Sequence, residues 1–392
     1  MTVRLRERVP TAGGPGAQRE CTAEETYERI RPHLARAGIT EVVDVTGHDG
    51  IPVFNALLPG SVDDAPVYGG KGLTPVEARV SAVMEAVERF AGWLPLRPSV
   101  IASYAELAAA GRAAVRPADH NLALRPEYTD EAPVFWVTGH DLLHDEPVLV
   151  PHGAVAYGPQ PAAPPCYTVT TTNGLASGNS LEEAVCHALC EVVERDAMTL
   201  AEVTGGRMRS IVDGVPETEW LDPATLPARI RPLAARFAGA GADLWLRSIA
   251  TDLGVPSVLA VASQYGRQHS GFGTHPDIEV ALARAITECA QLRASGDPGV
   301  ESTVDGAACL DASALPTYPS DDIAADVRFL LDRLRAAGLP RAVVVDLSPP
   351  GIPAHVVRVV VPGLESWSID RSRLGTRATD AWNAAVALVT HT

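Results

Sequence analysis

Charged positions break the apolar background of this chain in a recurring frame. Thr74-Pro75-Val76-Glu77 leads to Glu85-Ala-Val-Glu88-Arg89, and Ser180-Leu-Glu-Glu183 leads at the same offsets to Glu191-Val-Val-Glu194-Arg195. Residues three and four apart share a helix face, so each copy predicts a helix presenting two carboxylates side by side with an arginine at their edge. The first helix is expected from Thr74 to about Trp93, because Pro75 suits the first helical position and Thr74 with Glu77 forms a capping box. A third helix starts at Asp277. The same count puts Glu288 where Glu85 and Glu191 stand and Gln291 where Glu88 and Glu194 stand, with Arg293 adding a cation.

Continuous apolar runs are the second signal. Arg341-Ala-Val-Val-Val-Asp346 and Ala354-His-Val-Val-Arg358-Val-Val-Val361 have the unbroken character of buried strands. Shorter strands are expected at Val42 to Val45, Pro52 to Leu57, Val134 to Val137, Pro147 to Pro151, Leu244 to Ile249 and Val255 to Val261. Residues up to about 20, including Thr11-Ala-Gly-Gly-Pro-Gly16, read as a loose arm, and Thr22 to Gly38 as a capped helix ended by glycine. Thr168 to Asn179 reads as a strand and glycine-rich loop feeding the second helix. Free backbone N–H groups converging there make a natural anion site. With 392 residues and no Ser/Gly-rich or charged linker, the chain is expected to form one α/β (α+β) domain over 38–392, its long helices packed on mixed sheets. An arm and helix over 1–37 precede it.

Composition narrows the function. A hydrophobic content of 46% with 20% charged residues is that of a globular protein, and a net charge of −16 argues against nucleic acid as a partner. The N-terminus lacks a signal-peptide core and no apolar run approaches a membrane span, which makes the cytoplasm the default location. Cys21, Cys166, Cys186, Cys190, Cys289 and Cys309 include no C-x-x-C pair and read as structural thiols. Lys71 in Gly-Gly-Lys-Gly lacks the phosphate-loop pattern, no histidines show H-E-x-x-H spacing, and no G-x-S-x-G elbow is present.

The carboxylates remain the chemistry to explain. Glu-x-x-Glu-Arg on a single helix is usually a solvated face with an internal ion pair, and Glu77 and Glu183 stand where a carboxylate often only completes a cap. Two copies in one frame, each after a Gly-rich approach, weaken that account. Four like charges brought together repel, and hard oxygen ligands with room for phosphate suit magnesium.

In order and spacing, Thr46-Gly-x-Asp49, Gly70-Lys-Gly-Leu-Thr74 with Glu85-x-x-Glu88-Arg89, Asn173-Gly-Leu-Ala-Ser-Gly178-Asn179 with Glu191-x-x-Glu194-Arg195, and Glu288-x-x-Gln291-x-Arg293 resemble the YcaO-domain family. Val357-Arg-Val-Val-Val-Pro-Gly-Leu364 and Arg373-Leu-Gly-Thr-Arg377 extend the match, which runs from about residue 38 to 378. The resemblance implies an enzyme that activates a peptide backbone amide with ATP. A nucleophile adds to the amide carbon, the amide oxygen takes the γ-phosphoryl group, and phosphate departs. It further implies that Glu85, Glu88, Glu191 and Glu194 hold Mg²⁺ with Glu183 as a further ligand. Lys71, Ser81, Asn179, Arg195, Gln291 and Arg293 would contact nucleotide, with Glu191, Glu194 and Arg195 closest to the chemistry. The implied partners are a precursor peptide and, by family habit, a second copy of the chain.

Two departures qualify the resemblance. The chain ends Ala387-Leu-Val-Thr-His-Thr392 without the Pro-x-Pro-x-Pro tail of many azoline-forming members, and its early segment is shortened around His48-Asp49-Gly50, with Leu58-Pro59 where Arg-Pro is expected. Residues 1–37 are too short for a domain that captures a leader peptide or delivers sulfur, which leaves room for a partner protein in that role. The expected activity is cyclodehydration to an azoline or amidine ring. Thioamide formation with external sulfide is the nearest alternative, and a non-catalytic nucleotide-binding scaffold is the alternative of another class.

Overall fold

The computed structural model describes residues 3–12, 18–63, 66–158, 166–212, 215, 218–302, 304, 306–366, 371 and 373–390; Gly13 to Gly16 of the expected arm and the terminal His391-Thr392 lie outside these. A Thr22/Glu25 capping box opens α1 (Ala23–Ile30), which passes at Pro32 into the 3-10 turn Arg31–Ala37 and stops at Gly38 with φ 78°. Proline has no amide to continue the α ladder, so the expected single helix tightens there. The described part of the arm is not loose. Val9 is fully buried and its N–H donates to Asp322 Oδ1 at 2.7 Å, while Arg6 bridges Glu20 and Glu182 at 2.7 and 2.8 Å.

The strands β1 (Glu41–Asp44), β2 (Val53–Leu57) and β3 (Val67–Lys71) form an antiparallel sheet that leads into α2 (Pro75–Trp93). Next come β4 (Val100–Ser103), α3 (Tyr104–Ala109), β5 (Pro133–Asp141), β6 (Glu146–Pro151), α4 (His152–Val155), β7 (Leu175–Gly178), α5 (Leu181–Thr204) and α6 (Gly206–Arg209). The chain continues through β8 (Glu219–Leu221), α7 (Arg231–Gly239), β9 (Asp243–Ser248), β10 (Ser257–Gln264), β11 (Arg267–Thr274) and α8 (Ile278–Ala294). It ends with β12 (Val300–Glu301), β13 (Ala307–Leu310), α9 (Ile323–Ala336), β14 (Val343–Asp346), β15 (His355–Val360) and α10 (Thr376–Thr390). A central sheet has the order β4-β5-β14-β15-β7 with β6 also on β5, another has β12-β11-β10-β9, and β8 pairs β13. This is the mixed α/β architecture expected from the sequence.

Three strand–helix units organise the molecule. Each signature helix lies on an antiparallel ribbon: α2 on β2/β3, α5 on β15/β7 and α8 on β10/β11. Each also touches the inner strand of the next unit, α2 on β7, α5 on β11 and α8 on β3, which closes a ring. The approach is backbone to backbone. A Cβ at Gly70 would fall 1.9 Å from the Ala82 nitrogen, and one at Gly273 would fall 2.1 Å from the Ala281 carbonyl oxygen. Glycine on the strand and alanine on the helix are what these contacts require.

One reading of the loops changes. Around Thr168 to Asn179 the turn comes first, with the Leu175 N–H on the Thr172 carbonyl and Gly174 at φ 77°, and the strand follows as β7. Gly271 and Gly273 lie inside strand β11, where the missing side chains admit the α8 backbone.

Replacing Gly70 by Ala is expected to destabilise the fold by about 3 kcal/mol, since backbone must move to admit the methyl group. Gly60, where a Cβ meets nothing within 4 Å, is the control. Its alanine variant should unfold in urea within about 0.5 kcal/mol of the parent.

Candidate functional site

The ring of units turns one stripe of each helix toward a common region. Helical spacing aligns Ser81, Glu85 and Glu88 on α2, Glu183, His187, Glu191 and Glu194 on α5, and Arg284, Glu288 and Gln291 on α8. Glu88 and Glu194 are buried, and Glu85, Glu191 and Glu288 are half-buried. Arg89 donates through Nε and Nη2 to Glu85 Oε1 at 3.0 and 2.7 Å, and Arg195 lies 3.6 Å from Glu191. Contacts between units complete the cluster. The Ser177 N–H of β7 donates to Glu88 Oε2 at 2.9 Å, and Lys71 Nζ of β3 donates to Glu288 Oε2 at 2.6 Å.

Charge is only partly balanced here. Burial, then the Glu85 charge, pushes the Glu88 carboxyl well above the usual range, and burial also raises Glu191. Burial and the neighbouring Glu288 push Glu194 up to about 7. Burial would raise Glu288 too, but the Lys71 ammonium against it holds it below the ordinary value. Arg358, enclosed in the apolar run of β15, is pushed down to about 10 by burial despite the Glu191 charge. Several polar atoms have no partner: Glu194 Oε2, Arg195 Nε, Arg284 Nε, Arg293 Nη1 and Arg358 Nη1. Hydrogen-bonding groups seldom stay buried and unpaired, so this donor set fits a divalent cation on the carboxylates and an anion on the guanidinium groups.

The remaining predicted residues divide. Glu183 accepts from Arg19 Nη1 at 3.0 Å, the Glu20 N–H at 3.1 Å and Asn179 Nδ2 at 3.1 to 3.2 Å, while Ser180 caps its helix. Asn179 Oδ1 accepts from Thr26 Oγ1 at 3.0 Å and from Arg29. Glu77, in contrast, completes the α2 capping box with Thr74. Gln291 packs on Gly69 of β3, and Ser81 lies one turn before Glu85. Arg293 bonds Gln264 at 3.0 Å, approaches Asp49 to 3.9 Å and stacks on Phe237, so its described contacts are away from the carboxylates.

Sequence reasoning missed Arg284 and reads His187 as no more than a packed or exposed side chain; the two side chains meet at 3.2 Å. Spacing held the signal, since each stands four residues before a cluster glutamate. It also missed Arg19, Thr26 and Arg29. No local spacing could have found them, because they reach Asn179 and Glu183 across about 150 residues of chain.

A separate buried group, Cys186, His275 and Asp326, brings its polar atoms within 4.8 Å of one another. It does not suit a metal. His275 Nδ1 accepts the Asp277 N–H at 3.0 Å, which puts the imidazole proton on Nε2, the atom facing Asp326 at 3.9 Å, and leaves no lone pair there to ligate. All six cysteines are free, as expected of structural thiols.

A groove of about 850 Å³ lies between the last turn of α5 and α10, lined by Leu200, Thr204, Arg247, Asp252 and Arg377 among others. Arg377 on its lining holds the buried Asp196 of α5 through Nη2 at 2.8 Å.

Comparison with known proteins places this geometry. The family profile described as YcaO cyclodehydratase, ATP- and Mg²⁺-binding, matches residues 69–365. An uncharacterised protein of Methanothermobacter thermautotrophicus is 34% identical over 390 residues, covering 90% of this chain and 96% of its own. An uncharacterised protein in the tfuA 3′ region of Rhizobium leguminosarum bv. trifolii is 34% identical over 94% and 93% of the two chains. Among solved structures, YcaO from Methanopyrus kandleri bound with AMPPCP and Mg²⁺ superposes with a TM-score of 0.71 at 26% identity, over 94% and 98% of the chains. A heterocyclase in complex with substrate and cofactor shares the fold with a TM-score of 0.78 at 24% identity, and this chain spans about half (54%) of its length.

Glu194 gives the cluster a pH signature. Its carboxyl binds a proton more tightly folded, at about 7, than at its ordinary 4.5, so stability of the metal-free protein is lost as pH rises from 4.5 to 7 and is level above. The loss is on the order of 3 kcal/mol. Glu194→Gln should therefore raise the melting temperature at about pH 8 relative to the parent and leave it unchanged near pH 4.5. A variant less stable than the parent at both values would mark Glu194 as a structural carboxylate.

Proposed function

Because the chain belongs to the YcaO family, we propose that it activates a backbone amide of a ribosomally made peptide by transferring the γ-phosphoryl group of ATP to the amide oxygen, and so drives cyclodehydration to an azoline or amidine. The observation that carries this reading is Glu194 Oε2, a buried carboxylate oxygen without a partner among glutamates drawn from three helices. The family is described as ATP- and Mg²⁺-binding, and ATP and Mg²⁺ are the cofactors. When bound, they supply a phosphoryl group that makes amide oxygen a leaving group, and a cation that spreads the phosphate charge.

The chain's own residues do the rest. Glu85, Glu88, Glu191 and Glu194 hold the cation, and they must shed the protons that burial favours before they can do so. Lys71, Arg195 and Arg284, with Asn179 and Gln291, offer donors to phosphate oxygens, and Arg293 would join them by giving up its bond to Gln264. Lys71 would exchange its bond to Glu288 for one to the phosphates. The peptide is taken from the family reading, and the groove between the end of α5 and α10 is a candidate place for part of it. A relic scaffold is disfavoured because the cluster keeps its carboxylates. Among the described residues no helix is long and apolar enough to cross a membrane.

Thermal unfolding with ATP and Mg²⁺, singly and together, tests the reading. The parent should gain about 2.7 kcal/mol at a hundred-fold excess over Kd only when both are present, and Glu191→Gln should gain nothing. An equal rise without Mg²⁺, or in the variant, contradicts it. With a converted peptide in hand, loss of water supports the ring-forming product, and exchange of oxygen for sulfur would show a thioamide instead.

A further inference from the structure

Glu85 is tied down by a chain of contacts that begins outside the carboxylate cluster. Both bonds from Arg89 fall on its Oε1, so Oε2 keeps its lone pairs for a cation. The Arg89 guanidinium lies 5.6 Å from the centroid of the Tyr157 ring, close enough for a cation–π contact. Tyr157 is fixed at both ends. Its backbone N–H donates to the Gly92 carbonyl at 3.1 Å, in the last turn of α2, and its hydroxyl donates to Asp63 Oδ1. The other oxygen of Asp63 accepts the Tyr68 hydroxyl at 2.7 Å, and the Asp63 N–H donates to Ser61 Oγ at 2.9 Å. Tyr68 is held by Ser61 as well, and it makes no ring contact with Arg89 among the described residues.

We propose that Asp63 and Tyr157 are positioning residues of the cation site, which aim Arg89 and through it the Glu85 carboxylate at a divalent cation bound with nucleotide. This rests on the cluster's proposed role in holding that cation. Arginine has a long side chain with many rotamers, and a ring packed against it together with a bonded carboxylate removes most of them before any ligand arrives. Neither Asp63 nor Tyr157 needs to touch the cation. Outer partners that orient metal-ligating side chains commonly set affinity by 10- to 100-fold, and here the route runs Asp63, Tyr157, Arg89, Glu85.

The test is a Mg²⁺ titration at fixed ATP, read as the rise in melting temperature, on the parent, Asp63→Asn, Tyr157→Phe and Tyr68→Phe. The half-saturating Mg²⁺ concentration should rise about ten-fold or more in Asp63→Asn and Tyr157→Phe, and stay within about two-fold in Tyr68→Phe, which keeps the route to Arg89. A lowered melting temperature without ligand but an unchanged half-saturation point in the first two variants would make their role structural and overturn the proposal. An equal shift in Tyr68→Phe would overturn the route through Arg89. A parent protein with no Mg²⁺-dependent rise at all would remove the cation site itself, an outcome distinct from a parent that responds and variants that match it.

Discussion

Mutual repulsion among Glu85, Glu88, Glu191, Glu194 and Glu288 is the constraint around which this molecule is built. Buried like charges are tolerated only where protons, cations or hydrogen bonds offset them, and the fold supplies part of each. Arg89, Arg195, Arg284 and Lys71 stand at the edges, the Ser177 N–H bonds Glu88, and Glu194 takes up a proton near pH 7. What remains uncompensated is Glu194 Oε2 together with several guanidinium nitrogens. A fold that stored such a deficit for no purpose would gain stability by losing it, and the frame of the site is rigid enough to keep it.

That rigidity comes from backbone packing. Helices α2, α5 and α8 lie so close on their ribbons that a methyl group at Gly70 or Gly273 would collide with the helix backbone, so the carboxylate stripes cannot drift apart. Because each helix also leans on the next unit's strand, the three stripes are fixed against one another and not only against their own sheets. Glu288 and Gln291 in the third unit show how the plan diverges: one carboxylate is neutralised by Lys71 of the first unit, and the other position carries an amide against Gly69. The units therefore share geometry while differing in the charge each brings to the cluster.

Much of this was legible in the chain. Caps at Thr74, Ser180 and Asp277, the equal offsets to Glu85, Glu191 and Glu288, and the valine runs of β14 and β15 are local signals, and the helices and strands follow them closely. The misread parts depend on distant contacts. The turn before β7 is expected after a strand, and the arm looks loose because nothing local announces that Val9 is buried or that Arg19 reaches Glu183. Arg293 follows the spacing of the resemblance, yet Gln264, Asp49 and Phe237 hold its side chain, while Arg284, one turn before Glu288, faces His187.

The measurement that tests the central claim most directly is a crystal structure with a non-hydrolysable ATP analogue and Mn²⁺ in place of Mg²⁺, the metal located by its anomalous scattering. The account predicts metal ligated by carboxylates of Glu85, Glu88, Glu191 and Glu194, with the analogue's phosphates on Lys71, Arg195 and Arg284. Metal bound elsewhere, or an analogue bound without contact to any of these carboxylates, would contradict it.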